Sequence, residues 1–178
     1  KKYMPDLNPD LVYRLDRFGR GGHHRPFNDL GYAGVRIMET NENYNRQHQD
    51  IRIENNVKYG DVIDGVDFEY VKNLTSVNAI NLALLASSPP PPQNLKIGGI
   101  VEPSVKFKWD LNLENDIIGY KIYWRKTSSA NWEFSKSIGI VNEYTLENII
   151  IDNYLFSIVS VNKNGFESIY EFPSDTFR

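Results

Sequence analysis

Two hydrophobic periods divide this chain. Over residues 66–86 apolar side chains recur at helical intervals, with Tyr70, Leu74, Val77, Ile80 and Leu84 on one stripe and Asp67 placed to cap the first turn. The pattern predicts one long amphipathic helix. Upstream, Pro26 suits the first turn of a short helix and Gly31 its stop. The compact apolar run 33–38 that follows has the length of an interior strand. Residues 41–50 are polar throughout and read as the loop leaving that strand's carboxyl end, where open α/β sheets place their ligands.

Beyond residue 92 the period changes to two. Val105, Phe107 and Trp109 alternate with lysines, and Tyr120, Ile122 and Trp124 alternate with Lys121, Tyr123 and Arg125. Tyr154, Phe156 and Ile158 alternate with Leu155, Ser157 and Val159. Each run predicts a strand with one core face, and turn-forming stretches at 112–116, 127–131 and 162–165 space them as in an antiparallel sandwich. Between the two periods stand Pro89, Pro90, Pro91 and Pro92, a polyproline II former expected to hold its flanks apart without pairing to either. The expected organisation is an α/β part over 1–88, a hinge at 89–92 and an all-β part over 93–178.

Composition narrows what the two parts can do. With 40% hydrophobic and 24% charged residues the chain can build an ordinary packed core. A net charge of −3 without a long basic run gives nucleic acid no electrostatic footprint, and no apolar stretch is long enough to span a bilayer. There are no cysteines, which removes disulfides, thiolate metal sites and cysteine nucleophiles. Arg17-Phe18-Gly19-Arg20-Gly21-Gly22 lacks the spacing of a phosphate-cradling loop, so its glycines read as turn geometry. Glu39, Glu42, Glu54, Asp61, Asp64 and Asp67 read as an acidic solvated face.

The stretches 119–125 and 154–165, with Trp109 upstream, resemble strands C, F and B of a fibronectin type III domain over residues 93–178. Tyr154 is the candidate for that fold's tyrosine corner. The resemblance fixes a fold and leaves the role open: such sandwiches act as spacers, stabilise a neighbouring catalytic domain, or bind carbohydrate or protein.

Gly21-Gly22-His23-His24-Arg25-Pro26-Phe27, then Gly31-Tyr32-Ala33-Gly34, resembles a motif of zinc-dependent aminopeptidases and their relatives, the glutamate carboxypeptidases and glutaminyl cyclases. The loop 39–50 resembles the one that brings the family's last zinc-binding histidine, and 59–86 its closing helix. The resemblance implies an exported hydrolase, extracellular or periplasmic, acting on peptide substrates. Two zinc ions would lower the pKa of a bridging water, and a glutamate would take its proton before attack on the peptide carbonyl.

Carried over by position, His48 would be a zinc ligand and His24 a hydrogen-bond donor to the oxyanion, with Asp50 orienting His48. This chain departs from the pattern at two places. His23 stands where the family has aspartate, and Arg46 stands four residues before Asp50, where many members place the histidine ligand. Either Arg46 or His48 therefore holds the ligand position, and a guanidinium cannot ligate zinc. The family's remaining ligands belong upstream of Lys1, so the 178 residues alone are expected to be inactive. Two other readings stand beside this one: a non-catalytic binding or adhesion protein with a degenerate peptidase-like part, and a one-zinc glutaminyl-cyclase-like enzyme.

Overall fold

The computed structural model describes residues 4–7, 9, 10, 12 and 21–177, which leaves Leu11 and the Arg17-Phe18-Gly19-Arg20 stretch outside the described residues. The chain divides into two units, 1–81 and 82–178.

In the first unit α1 (Arg25–Asp29) starts with a proline in its opening turn and stops at Gly31, whose φ of 85° suits a residue without Cβ. The run 33–38 forms no strand and enters no ladder, with Val35 80% exposed. A parallel interior strand needs partners on both edges to satisfy its backbone groups, and the described residues supply none. The open α/β sheet expected for residues 1–88 is accordingly not evident, and the strands present in this unit form a hairpin of a different kind.

That hairpin joins β1 (Arg52–Glu54) to β2 (Val57–Tyr59), antiparallel, through Asn55 and Asn56 at φ 48° and 60°. Two consecutive left-handed residues are what a type I′ turn requires, and asparagine tolerates that conformation well. Arg52 lays its guanidinium 4.0 Å from the centre of the Tyr59 ring across the pair.

Then comes α2 (Phe68–Ser87), capped as its sequence predicts: the Asp67 carboxylate accepts the Tyr70 N–H at 3.0 Å. Leu74, Val77, Ile80 and Leu84 are half-buried along the expected stripe, yet no residue of the helix is fully buried. Phe68 and Val71 near its start and Leu82 and Leu85 near its end are exposed apolar residues, with the polar Thr75 and Asn78 between them on that side.

The second unit is a two-sheet sandwich. One sheet runs in the order β7 (Glu143–Leu146), β4 (Val105–Asp110), β3 (Gln93–Gly98), β9 (Asp175–Thr176). The other runs β6 (Phe134–Ile138), β5 (Ile117–Lys126), β8 (Tyr154–Asn162). All pairings are antiparallel except β3 with β9. The alternation read from sequence is the alternation observed: Val105, Phe107 and Trp109, Tyr120 and Ile122, Phe156 and Ile158 all point into one core. Edge-to-face ring pairs join the sheets, Phe107 with Phe156 at 5.4 Å and Trp109 with Tyr120 at 5.3 Å.

Two details differ from expectation. The hydroxyl that takes an upstream backbone N–H belongs to Tyr120, bonded by Asn112 at 2.9 Å, while Tyr154 packs its ring against Phe134 and Phe156. The proline run is also bound to the sandwich, for Pro89 and Pro92 are buried. The Pro90 carbonyl accepts from Ser160 Oγ at 2.6 Å and from Asn112 Nδ2 at 2.9 Å. Prolines lack N–H groups but keep their carbonyls, and polar side chains on β8 and after β4 claim them.

Candidate functional site

His24 stands at the head of α1, half-buried between two glycines. A Cβ on Gly22 would come within 2.9 Å of its Nδ1, and one on Gly34 within 3.2 Å of its Cβ. The absence of side chains there lets the imidazole lie against the backbone. Asn28 Nδ2 donates to the Gly34 carbonyl at 3.3 Å and ties α1 to the run that follows. His23 is exposed.

The polar loop is a sequence of tight turns. Asn43 Oδ1 accepts the Asn45 N–H at 3.1 Å, the Asn43 carbonyl accepts the Arg46 N–H at 3.0 Å, and the Asn45 carbonyl accepts the Gly60 N–H at 2.9 Å. The turn run ends at His48, exposed and at φ 53°, a left-handed conformation that histidine adopts more readily than most residues. Asp50 is exposed as well, and its backbone carbonyl receives Arg52 Nη1 at 3.4 Å.

Glu42 departs from the solvated face read from the sequence. Its side chain is only 8% exposed and lies 3.6 Å from Arg36 Nη2, and its Oε1 accepts Gln47 Nε2 at 3.3 Å. No local pattern distinguishes it from Glu39 or Glu54, because the partners that bury it come from both sides of the loop.

Arg46 is half-buried, and its Nη1 makes no hydrogen bond. It borders a cavity of about 230 Å³ shared with Asp61, Val62, Ile63, Gly65 and Val66. Beside it, the Asp64 carboxyl is held below the usual carboxylate range, chiefly by Lys58 Nζ at 2.7 Å, with Arg46 adding a small share.

Among the described residues no group of three or more His, Asp or Glu side chains could hold a metal ion. The donors present therefore do not by themselves fit a zinc centre, and the exposed His48 offers a single imidazole. Nor is any described helix long and apolar enough to cross a membrane.

The sandwich belongs to the class of two-sheet antiparallel modules with mixed edge pairing. Residues 90–176 match the fibronectin type III domain, and that is the fold of this part of the chain. A solved fibronectin type III domain of the human collagen alpha-1(XX) chain is 19% identical, covers 52% of this chain and 90% of its own length, and aligns with a TM-score of 0.41.

Similarity also extends over both units. A protein of Pyrenophora teres f. teres named "Probable zinc metalloprotease" is 39% identical over 171 residues, covering 94% of this chain and 35% of the relative. One of the same name from Pyrenophora tritici-repentis is 40% identical over 166 residues, covering 92% and 34%. The chain thus spans about a third of the length of the curated relatives it matches.

Proposed function

We propose that this chain is the C-terminal portion of a longer, exported zinc-dependent aminopeptidase, with the fibronectin type III domain as its accessory module. One observation carries the reading: the similarity to proteins named zinc metalloproteases runs through both units, covering 94% of this chain rather than the sandwich alone. The exposed apolar surface supports it, since a helix with an apolar stripe, exposed apolar residues near both ends and no buried residue suits an element completed by further chain. In this reading two zinc ions are held mainly by residues outside the chain. His48 supplies one ligand, Asp50 orients it, His24 faces the substrate carbonyl, and these 178 residues alone do not hydrolyse peptides.

The test uses the full-length protein, its zinc content measured together with hydrolysis of aminoacyl reporter substrates. His48→Ala should remove one equivalent of zinc and abolish turnover. His24→Ala should keep the metal and lower kcat by roughly 10²–10³, the scale of one lost oxyanion donor. Full activity in His48→Ala would show that the ligand is another residue.

Arg46 favours a second reading. A guanidinium four residues before Asp50, bordering a cavity, suits a non-catalytic binding protein built on a degenerate peptidase-like part. A full-length protein carrying no zinc and cleaving no reporter would establish that alternative.

A further inference from the structure

The two outer faces of the sandwich differ in chemistry. On the face of β3 and β4, Lys96, Lys106 and Lys108 each lie within 3.6 Å of a carboxylate, from Asp175, Glu102 and Glu143. On the outer face of β5 the polar positions meet rings instead. Trp132, from the β5–β6 connection, has its ring centre 6.0 Å from that of Tyr123, 5.2 Å from Tyr170 and 6.1 Å from Phe172. Arg125 adds its guanidinium 5.6 Å from the same ring. Tyr123 is fixed from the other side, because its hydroxyl donates to Glu167 at 2.7 Å and Lys121 Nζ holds the same carboxylate at 3.1 Å. Tyr170 and Phe172 remain 40% and 54% exposed. Large rings gathered on one exposed surface mark a place where something binds.

Charge and packing together define the occupant. Arg125 Nη1 donates to the Ser129 carbonyl, no carboxylate pairs with the guanidinium among the described residues, and none of its nitrogens is both buried and unpaired. Lys121 and Arg125 against Glu167 make the patch two cations to one anion, in a chain whose net charge is −3. The patch therefore complements an anion, and carboxylate is the anion whose geometry fits a guanidinium. The rings touch one another, so no gap between them admits an inserted side chain, the usual anchor of a protein partner. A pyranose ring needs no such gap, since it lays a face of C–H bonds on an aromatic ring. We propose that this surface binds an acidic polysaccharide of uronate units, with sugar rings on Tyr170 and Phe172 and a carboxylate on Arg125. Rings already packed on each other lose little freedom on binding. The site does not require the peptidase reading: a protein that binds uronate chains yet has neither zinc nor hydrolytic activity would sink that reading and leave this one standing.

The experiment is calorimetric titration of the full-length protein with hexagalacturonate. Cellohexaose, which has sugar faces without carboxylates, and poly-L-glutamate, which has carboxylates without sugar faces, serve as the comparison ligands. Hexagalacturonate should bind saturably, and cellohexaose at least about tenfold more weakly, the scale of one charge-assisted hydrogen bond. Poly-L-glutamate should give no saturable heat. Arg125→Gln should weaken hexagalacturonate about tenfold, and Tyr170→Ala and Phe172→Ala should each weaken it about five- to tenfold, the scale of one aromatic contact. Thermal unfolding confirms that the variants are folded, and Phe172, more than half exposed, provides a change outside the sandwich core. Absence of saturable heat with hexagalacturonate, poly-L-glutamate binding as tightly as the sugar, or unchanged affinity in folded Phe172→Ala overturns the proposal.

Discussion

Asn162 shows how one side chain fastens the sandwich. It is almost fully buried; its Nδ2 donates to the Ser87 carbonyl at 3.1 Å, and its Oδ1 accepts the N–H groups of Asn164 and Phe166 at 3.1 and 3.0 Å. Asn162→Ala leaves all three without their partner and should lower unfolding stability by about 2 kcal/mol, read as a shifted urea midpoint at unchanged slope. Titratable groups elsewhere on the sandwich act through pH. Burial raises the Glu171 pKa above its ordinary 4.5, so its contribution to stability is complete below pH 4.5 and is lost as pH rises through the folded value. Glu171→Gln should therefore gain stability over the parent at pH 7 and show no such gain at pH 3. Burial also raises Tyr123, helped by its hydroxyl bond to Glu167 at 2.7 Å, and burial raises Tyr170. The neutral phenols favour the fold, and their contribution declines above pH 10. The part of the tyrosinate absorbance that a Tyr123→Phe, Tyr170→Phe variant lacks should then appear together with alkaline unfolding rather than before it.

At the scale of elements, α2, which starts in the first unit and ends in the second, is the helix that its sequence specifies most fully. The cap at Asp67, the stripe at Leu74, Val77, Ile80 and Leu84, and the end before the prolines are local signals, and the helix follows them. Asp67→Ala should cost about 1 kcal/mol of helix stability, seen as faster amide exchange in the first turn than in the middle of the helix. The sandwich strands were equally legible, because strict alternation with one buried face leaves a single register. The run 33–38 was not. Its apolar residues have the composition of a strand, but a strand also needs neighbours, and composition does not say whether they are present. The hairpin at 52–59 is hard to read from the sequence because each of its strands has only three residues, although Asn55-Asn56 is a turn signal. The cavity was illegible for another reason: Arg46 and the 61–66 segment are brought together by turns and by the Gly60 bond to Asn45, which no periodicity records.

For the whole molecule, the distribution of burial sets the two units apart. Every buried hydrophobic residue among the described ones lies between Leu95 and Val159, so the sandwich contains its own core. In the first unit Val35, Tyr44, Ile51, Ile53, Ile63 and Phe68 are exposed, and α2, which crosses from the first unit into the second, buries none of its residues. Ordering a chain costs about 1–2 kcal/mol of backbone entropy per residue, and only buried apolar area on a comparable scale offsets it. A fragment of residues 82–178 should therefore unfold in a single cooperative transition with a dispersed amide spectrum. A fragment of residues 1–81 should show partial helicity, no cooperative transition, and binding of a hydrophobic dye. Cooperative unfolding of the 1–81 fragment would mean that its apolar surface needs no completing partner. That result would remove the physical support for placing this unit at the end of a larger catalytic domain, and the similarity to longer relatives would have to carry the reading without it.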